Sequence, residues 1–299
     1  MSRQLRFLIL GATGQVGVEL QRSFIDAGEV IALDRKGADL SRPETLRTLI
    51  AEIKPNVILN AAAYTAVDRA ESEPELAMII NGEAPRVLAE AAAKHDAILV
   101  HYSTDYVFNG AKTSPWLETD EPAPLNVYGE TKLAGEQAIQ ESGAKHLIFR
   151  TSWVFGPHGQ NFLRIMLRLG AERDQLKIVD DQIGAPTSSI AIADATRAAV
   201  DRILADNIDS QPSWSGVYHM TCGGMTSWCS FANEIFIQGK HFLNGKVPEV
   251  IPIPSEQYPT PAKRPLYSVL SNDKFVMKLG LHLPMWQEAL RQSLGMLPN

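Results

Sequence analysis

The chain has 299 residues, 45% of them hydrophobic and 21% charged, with a formal net charge of −6 and two cysteines. That length suits one large α/β domain, or a core with a smaller second domain, and can bury a sizeable core. An acidic balance without a basic block argues against broad nucleic-acid binding, and the spacing of Cys222 and Cys229 fits no zinc, redox or disulfide framework.

The chain opens Met1-Ser-Arg-Gln-Leu-Arg6 and then holds only the short apolar run Phe7 to Leu10, too short for a signal peptide or a membrane span. No later segment is long enough either, so the expectation is a cytoplasmic protein without membrane contact. The run Phe7 to Leu10 is unbroken and ends at a glycine, as a strand buried on both faces does. Helical spacing follows over 15–27, ending near Gly28. Val30 to Leu33 is the next strand. Pro43 then opens a helix over 43–53, with Ser41 or Arg42 as its cap. Val57 to Leu59 is a strand, 84–94 an alanine-rich helix with Pro85 near its start, and Ile98 to Val100 a strand. A helix over 127–141 stops before Gly143, and Leu147 to Phe149 is the fifth strand. Strand and helix in alternation imply right-handed crossovers and a doubly wound parallel sheet of the α/β, Rossmann type.

After about residue 155 the texture changes. Prolines cluster at Pro248, Pro252, Pro254, Pro259, Pro261 and Pro265, with helical patterns near 189–205, 227–238 and 284–294. We expect a nucleotide-binding core over 1–155. Residues 156–299 should form mainly a smaller α+β substrate lobe over the sheet's carboxyl edge, with some segments returning to the core.

The first strand runs straight into Gly11-Ala-Thr-Gly14-Gln-Val-Gly17. A turn from strand to helix that lets a pyrophosphate approach the backbone needs residues without a Cβ, and the N–H groups of the helix's first turn then face the phosphate. Asp34 ends the second strand about 20 residues on, where a carboxylate bonds ribose hydroxyls and favours NAD. Arg35 beside it suits a 2′-phosphate and favours NADP, so the residues leave NADPH and NADH open. Asp39 and Leu40 suit the amino group and face of adenine, or equally a turn before the next helix. Asn60-Ala-Ala-Ala63 closes the third strand with small side chains, leaving room at the sheet edge for a flat ligand.

Tyr128 and Lys132 lie four residues apart, one turn on one helix face. An ammonium there lowers the phenol from its ordinary pKa of about 10 and lets it trade protons with a carbonyl oxygen. Thr104, after the fourth strand, is the preferred partner hydroxyl, with Ser103 behind it. Tyr106 is a rival phenol without a lysine four residues on.

Together these motifs resemble the extended short-chain dehydrogenases. Six further stretches are similar to the dTDP-4-dehydrorhamnose reductases within that family: Asn60-Ala-Ala-Ala-Tyr-Thr-Ala-Val-Asp-Arg-Ala-Glu71, His101-Tyr-Ser-Thr-Asp-Tyr-Val-Phe108, Asn126-Val-Tyr-Gly129, Arg150-Thr-Ser-Trp-Val-Phe155, Asp181-Gln-Ile-Gly-Ala-Pro-Thr187 and Tyr258-Pro-Thr-Pro-Ala-Lys-Arg-Pro265. The resemblance covers nearly the whole chain. It implies reduction of a C4 keto group on a dTDP-linked sugar by NADPH or NADH, with Thr104, Tyr128 and Lys132 as the catalytic set. It implies that Gln15, Val16, Ala62 and Ala63 border the cofactor, and that Asp105, Trp153 and Arg264 join Thr104 at the substrate. It also implies a homodimer. Some members hold magnesium between glutamates at the dimer interface. Glu19 stands where one such acid would be, but Ile190 stands where a second is expected, and that departure weighs against a metal bridge. The rivals to a reductase are a nucleotide-sugar epimerase or dehydratase and a non-catalytic regulatory subunit. Tyr106 after Asp105 departs from the acid pair expected of a dehydratase.

Overall fold

Five short apolar runs become five parallel strands: β1 (Arg6–Leu10), β2 (Glu29–Leu33), β3 (Val57–Asn60), β4 (Ile98–Thr104) and β5 (His146–Thr151). A sixth, β6 (Gly216–His219), adds beside β5. The computed structural model describes residues 4–205, 213–243 and 246–298. The first three residues, part of the opening read against a signal peptide, lie outside that range. In space the strands run β6-β5-β4-β3-β1-β2. From β1 the chain winds one way to β2 and then crosses to β3 on the other side. The carboxyl ends of β1 and β3 are therefore the point where winding reverses, and a crevice opens there.

Helices cover both faces, each joined to the sheet by its apolar side. On one face lie α1 (Gln15–Ser23), α6 (Ser189–Ala205) and α8 (Asp273–Leu279), which pack Leu20, Ile192 and Phe275 against the strands. On the other lie α2 (Pro43–Ile53), α3 (Ala84–Lys94) and α4 (Val127–Glu141), with Ile50, Leu88 and Ile139 pointing in. A separate apolar cluster joins α5 (Phe162–Glu172), α7 (Trp228–Gln238) and α9 (Trp286–Gly295). Beside it a two-stranded parallel pair joins Gln175–Val179 to Glu249–Ile253. Both cysteines are buried and unpaired. Among the described residues no helix is long and apolar enough to cross a membrane.

Several local details differ from the expectation. The first helix stops at Ser23, where Phe24 leaves helical geometry while its N–H still donates to Leu20 O and its ring packs on Phe7 at 5.2 Å. Ser41 does not cap α2. Its hydroxyl donates to Asp39, and Arg42 flanks the helix without a side-chain cap. Strand β4 runs on to Thr104, which carries its end into the crevice. Helix α5 lies outside the expected set, although Leu163, Met166, Leu167 and Gly170 mark its buried face at helical spacing.

Candidate active site

The turn after β1 is built from close backbone approach. Gly11 adopts φ +79, and a Cβ there would meet Ala62 N at 2.8 Å. A Cβ on Gly17 would sit 2.0 Å from Gly11 O. Gly14 is the extended residue before α1, and no side chain caps that helix. The first-turn N–H groups thus stay available, at a helix start that favours negative charge, so the cradle fits a dinucleotide's pyrophosphate. Gln15 is tied across to α5, its Oε1 accepting from Asn161 Nδ2 at 2.9 Å, while Val16 packs against the core below. Ala62 and Ala63 are half-buried at the end of β3, beside this turn.

At the end of β2, Asp34 Oδ1 accepts from the N–H groups of Lys36 and Gly37 at 3.0 and 3.2 Å. Arg35 projects outward with 75% of its side chain exposed and its Nε 3.5 Å from Asp39 Oδ1. Asp39 accepts from both the backbone and the hydroxyl of Ser41, and Leu40 is buried in the core under α2. These contacts serve the turn role open to Asp39 and Leu40 and leave their adenine role open.

The second half of the site forms where α4 starts over the end of β4. Asn126 caps α4, its Oδ1 accepting from Gly129 N at 2.8 Å, which sets Tyr128 in the first turn. A Cβ on Gly129 would lie 2.3 Å from Tyr106 O, so α4 can only approach this loop through a glycine. The Tyr128 ring meets Tyr106 edge to face at 5.7 Å. Thr104 Oγ1 accepts from Tyr106 N and donates to Asp105 Oδ1, both at 3.1 Å. Ser103 is buried, its hydroxyl without a partner among the described residues.

Lys132 is 1% exposed. Its Nζ donates to Tyr102 O at 2.6 Å and lies 3.1 Å from His101 Nε2. Burial pulls its pKa down to about 8, against Glu136 one turn on, which raises it. The two oxygens of Glu136 are held by Arg150 of β5 at 2.6 to 3.1 Å. The expected lowering of the phenol by Lys132 is not met. Desolvation pushes Tyr128 up to about 12, the Thr104 hydroxyl opposes, and the Asp105 charge adds to the rise. The reason is geometric: the amino group of Lys132 is turned to β4. A phenol held this high stays protonated at neutral pH, as an acid should.

Asp105 is perturbed as well. Burial raises its carboxyl to about 6 from 3.8, with hydrogen bonds from Ser268 and Thr104 opposing. A carboxyl whose folded pKa is raised binds more protons folded than unfolded, so its cost to stability grows as pH climbs from about 4 to 6 and is complete above. Two units correspond to roughly 3 kcal/mol. Asp105→Asn is therefore expected to raise Tm at pH 8 and leave it unchanged at pH 4. Equal shifts at both pH values would mean that the carboxylate is not desolvated.

Two residues named only from resemblance have definite settings. Trp153 holds φ +47 and stacks on Trp228 at 3.5 Å, nearly parallel, with Gly184 packed on the indole so closely that a Cβ would sit 2.5 Å from it. Trp228 had no place in the sequence reading, and its one signal was an aromatic at the start of the expected helix over 227–238. Arg264 forms a two-pronged bond to Asp68, at 3.0 and 2.9 Å, which pins the proline-rich segment across the short helix Val67–Ala70. Asn126 Nδ2 also donates to Lys263 O at 2.7 Å, so the same segment is tied to the start of α4.

Glu19 is fully buried. Its Oε2 takes Arg22 at 2.8 Å, and His158 Nε2 stands 3.5 Å from its other oxygen. Ile190 is buried and supplies no donor. Among the described residues of this chain no group of three His, Cys, Asp or Glu side chains is arranged to hold a metal.

Residues 5–297 match the family model described as the RmlD substrate binding domain. A dTDP-4-dehydrorhamnose reductase of Burkholderia thailandensis is 49% identical, covering 96% of this chain and 97% of its own. The solved dTDP-4-dehydrorhamnose reductase of Clostridium acetobutylicum superimposes with a TM-score of 0.90 at 38% identity, over 98% of this chain and 99% of that one. The enzyme of the same name from Bacillus anthracis, solved in complex with NADP, gives 0.87 at 35% identity, over 97% and 99%. With a glycine turn at the winding switch, a helix-borne tyrosine and lysine over the end of β4, and full-length similarity to these enzymes, the chain belongs to the dTDP-4-dehydrorhamnose reductase family.

Proposed function

We propose that this protein reduces the C4 keto group of dTDP-4-dehydro-L-rhamnose to give dTDP-L-rhamnose, the last step of dTDP-rhamnose synthesis, with NADPH or NADH as reductant. The observation that carries the reading is the placing of Tyr128 and Lys132 in the first turns of α4, over the end of β4 and its Thr104, at the edge of the sheet that holds the glycine turn. When bound, the reduced nicotinamide supplies hydride to the sugar carbon. Tyr128 gives its proton to the carbonyl oxygen as negative charge develops there. Thr104 turns its hydroxyl toward the same oxygen and stabilises that charge. Lys132, one turn on along the same helix face, offers its ammonium to the nicotinamide ribose hydroxyls. The Trp153–Trp228 stack offers a flat face to the sugar, and Arg264, with Asp68 as its resting partner, offers a cation to the diphosphate.

In this reading Gly11, Gly14, Gln15, Val16 and Gly17 line the pyrophosphate, and Asp34 with Arg35 faces the adenosine end. Ala62 and Ala63 border the nicotinamide side. Residues 1–155 serve as the nucleotide core. Residues 156–299 serve mainly as the substrate lobe, with α6, β6 and α8 returning to the core. The reading extends to a cytoplasmic homodimer without a bridging metal.

The test is loss of reduced-nicotinamide absorbance when the keto-sugar is supplied, run separately with NADPH and NADH. Rapid loss with one of them is the expected result. Folded protein that oxidises neither, and that retains cofactor through purification, would move the assignment to an epimerase.

A further inference from the structure

The hydroxyl that is to meet the keto oxygen is already engaged. Thr104 is buried at the end of β4, and its Oγ1 makes two bonds, both at 3.1 Å. Tyr106 N can only donate, so it fills one lone pair of that oxygen. Asp105 Oδ1 is the other partner, and an ionised carboxylate can only accept. A threonine hydroxyl has one proton. With Asp105 ionised, that proton is committed to the carboxylate. Thr104 keeps only a lone pair, which the Tyr128 phenol can fill. It then has no donor to give the oxygen on which charge develops.

A proton on Asp105 reverses the direction. The carboxyl O–H donates to Thr104 Oγ1, both lone pairs of Thr104 are used, and its own proton is free to point into the crevice. The setting of Asp105 suits this form. The residue is 2% exposed, and Oδ2 is buried with no partner in bonding geometry among the described residues. Such a setting costs a charged oxygen more than a neutral one. Burial correspondingly raises the carboxyl to about 6, even with Ser268 and Thr104 opposing. The titratable groups that face it are the Tyr106 phenol of its own turn and the Tyr128 phenol of α4, both kept protonated by burial. Arg264 bears on Tyr106 but is held by Asp68.

We propose that Asp105 is a positioning residue whose carboxyl must carry a proton for Thr104 to donate to the keto oxygen. The proposal rests on the reading of Thr104 and Tyr128 as the pair that meets that oxygen. The proton on Asp105 comes from solvent, stays there through turnover and is not consumed. The proton given to the substrate is still that of Tyr128. Asp105 touches neither substrate nor cofactor in this scheme and acts through Thr104. Its ionisation turns both hydroxyls away from the substrate, Thr104 toward the carboxylate and Tyr128 toward Thr104.

The single-turnover rate of hydride transfer, followed against pH with saturating keto-sugar and reduced nicotinamide, tests this, because it reports the chemical step in the bound complex. The wild-type rate should fall as pH rises past the Asp105 pKa and level off about 10²- to 10³-fold lower, the cost of one lost oxyanion donor. Asp105→Asn sets an NH2 group against Thr104 Oγ1 at every pH, so that limb should vanish. Thr104→Val should also lack the limb, at an evenly low rate, and Thr104→Ser should regain it. A limb that survives unmoved in folded Asp105→Asn would overturn the proposal, and so would a wild-type rate that is flat from about pH 5 to 8. Should the asparagine variant not fold, the wild-type profile and the two Thr104 variants decide. A chain that turns over neither NADPH nor NADH fails the reductase reading itself, and the proposal with it.

Discussion

Tyr128→Phe should lower kcat by about 10²- to 10⁴-fold, the usual contribution of a positioned general acid. The substitution removes one oxygen and leaves the ring, so the edge-to-face contact with Tyr106 persists and the start of α4, capped by Asn126, is undisturbed. Cofactor affinity should therefore change little, because the glycine turn and Lys132 are intact. Tm should change little, since the ring and its contact with Tyr106 remain. Stopped-flow turnover, a cofactor titration and a melting curve on one preparation separate these effects. A variant that kept turnover within a few-fold of wild type would transfer the proton-donor role elsewhere, and Tyr106, packed against the same ring, would be the first candidate.

Arg150→Leu should destabilise the fold by about 3–5 kcal/mol, the range for removing one partner of a buried ion pair. The guanidinium and the Glu136 carboxylate are 4% and 0% exposed, and the arginine holds both carboxylate oxygens. Without it a buried charge stays uncompensated one turn from Lys132. The guanidinium also lies over the Phe108 ring at 5.1 Å, so a further contact goes with it. Replacing both members of the pair, Arg150→Leu with Glu136→Leu, should recover most of the loss, since the buried charge is then gone as well. Denaturant unfolding of the single and double variants checks this. Equal loss in both would mean that packing, and not the stranded carboxylate, sets the cost.

Much of the core was legible because its strands are unbroken apolar runs and its helices carry caps or period. The helices over 43–53, 84–94 and 127–141 have the expected bounds. Strand β6 was not legible. Gly216–His219 is short, and it joins the sheet only through pairing with β5, some 70 residues earlier, which no local pattern encodes. The glycine turn could be read because its spacing reflects a backbone constraint, now seen in the clash a Cβ on Gly17 would meet.

The tyrosine and lysine could be placed by spacing, but their electrostatics could not. Helical spacing says that Tyr128 and Lys132 share a face. It does not say that Nζ turns to the Tyr102 carbonyl and His101, which belong to another element. The same holds for Arg264, whose resting partner Asp68 lies 196 residues away, and for Trp153, whose stacking partner Trp228 comes from a distant part of the sequence. Asp39 shows the converse case: two readings fit the residue pair, and the Ser41 hydroxyl bond serves the turn while leaving the adenine role open.

The most direct test of the central claim is isotopic. NADPH carrying deuterium at the reactive nicotinamide carbon is supplied with dTDP-4-dehydro-L-rhamnose, and the product is read by NMR. The account predicts one deuterium at C4 of the sugar for each NADPH oxidised. A sugar epimerised without deuterium at C4, or NADPH oxidised with no label transferred to C4, would contradict it.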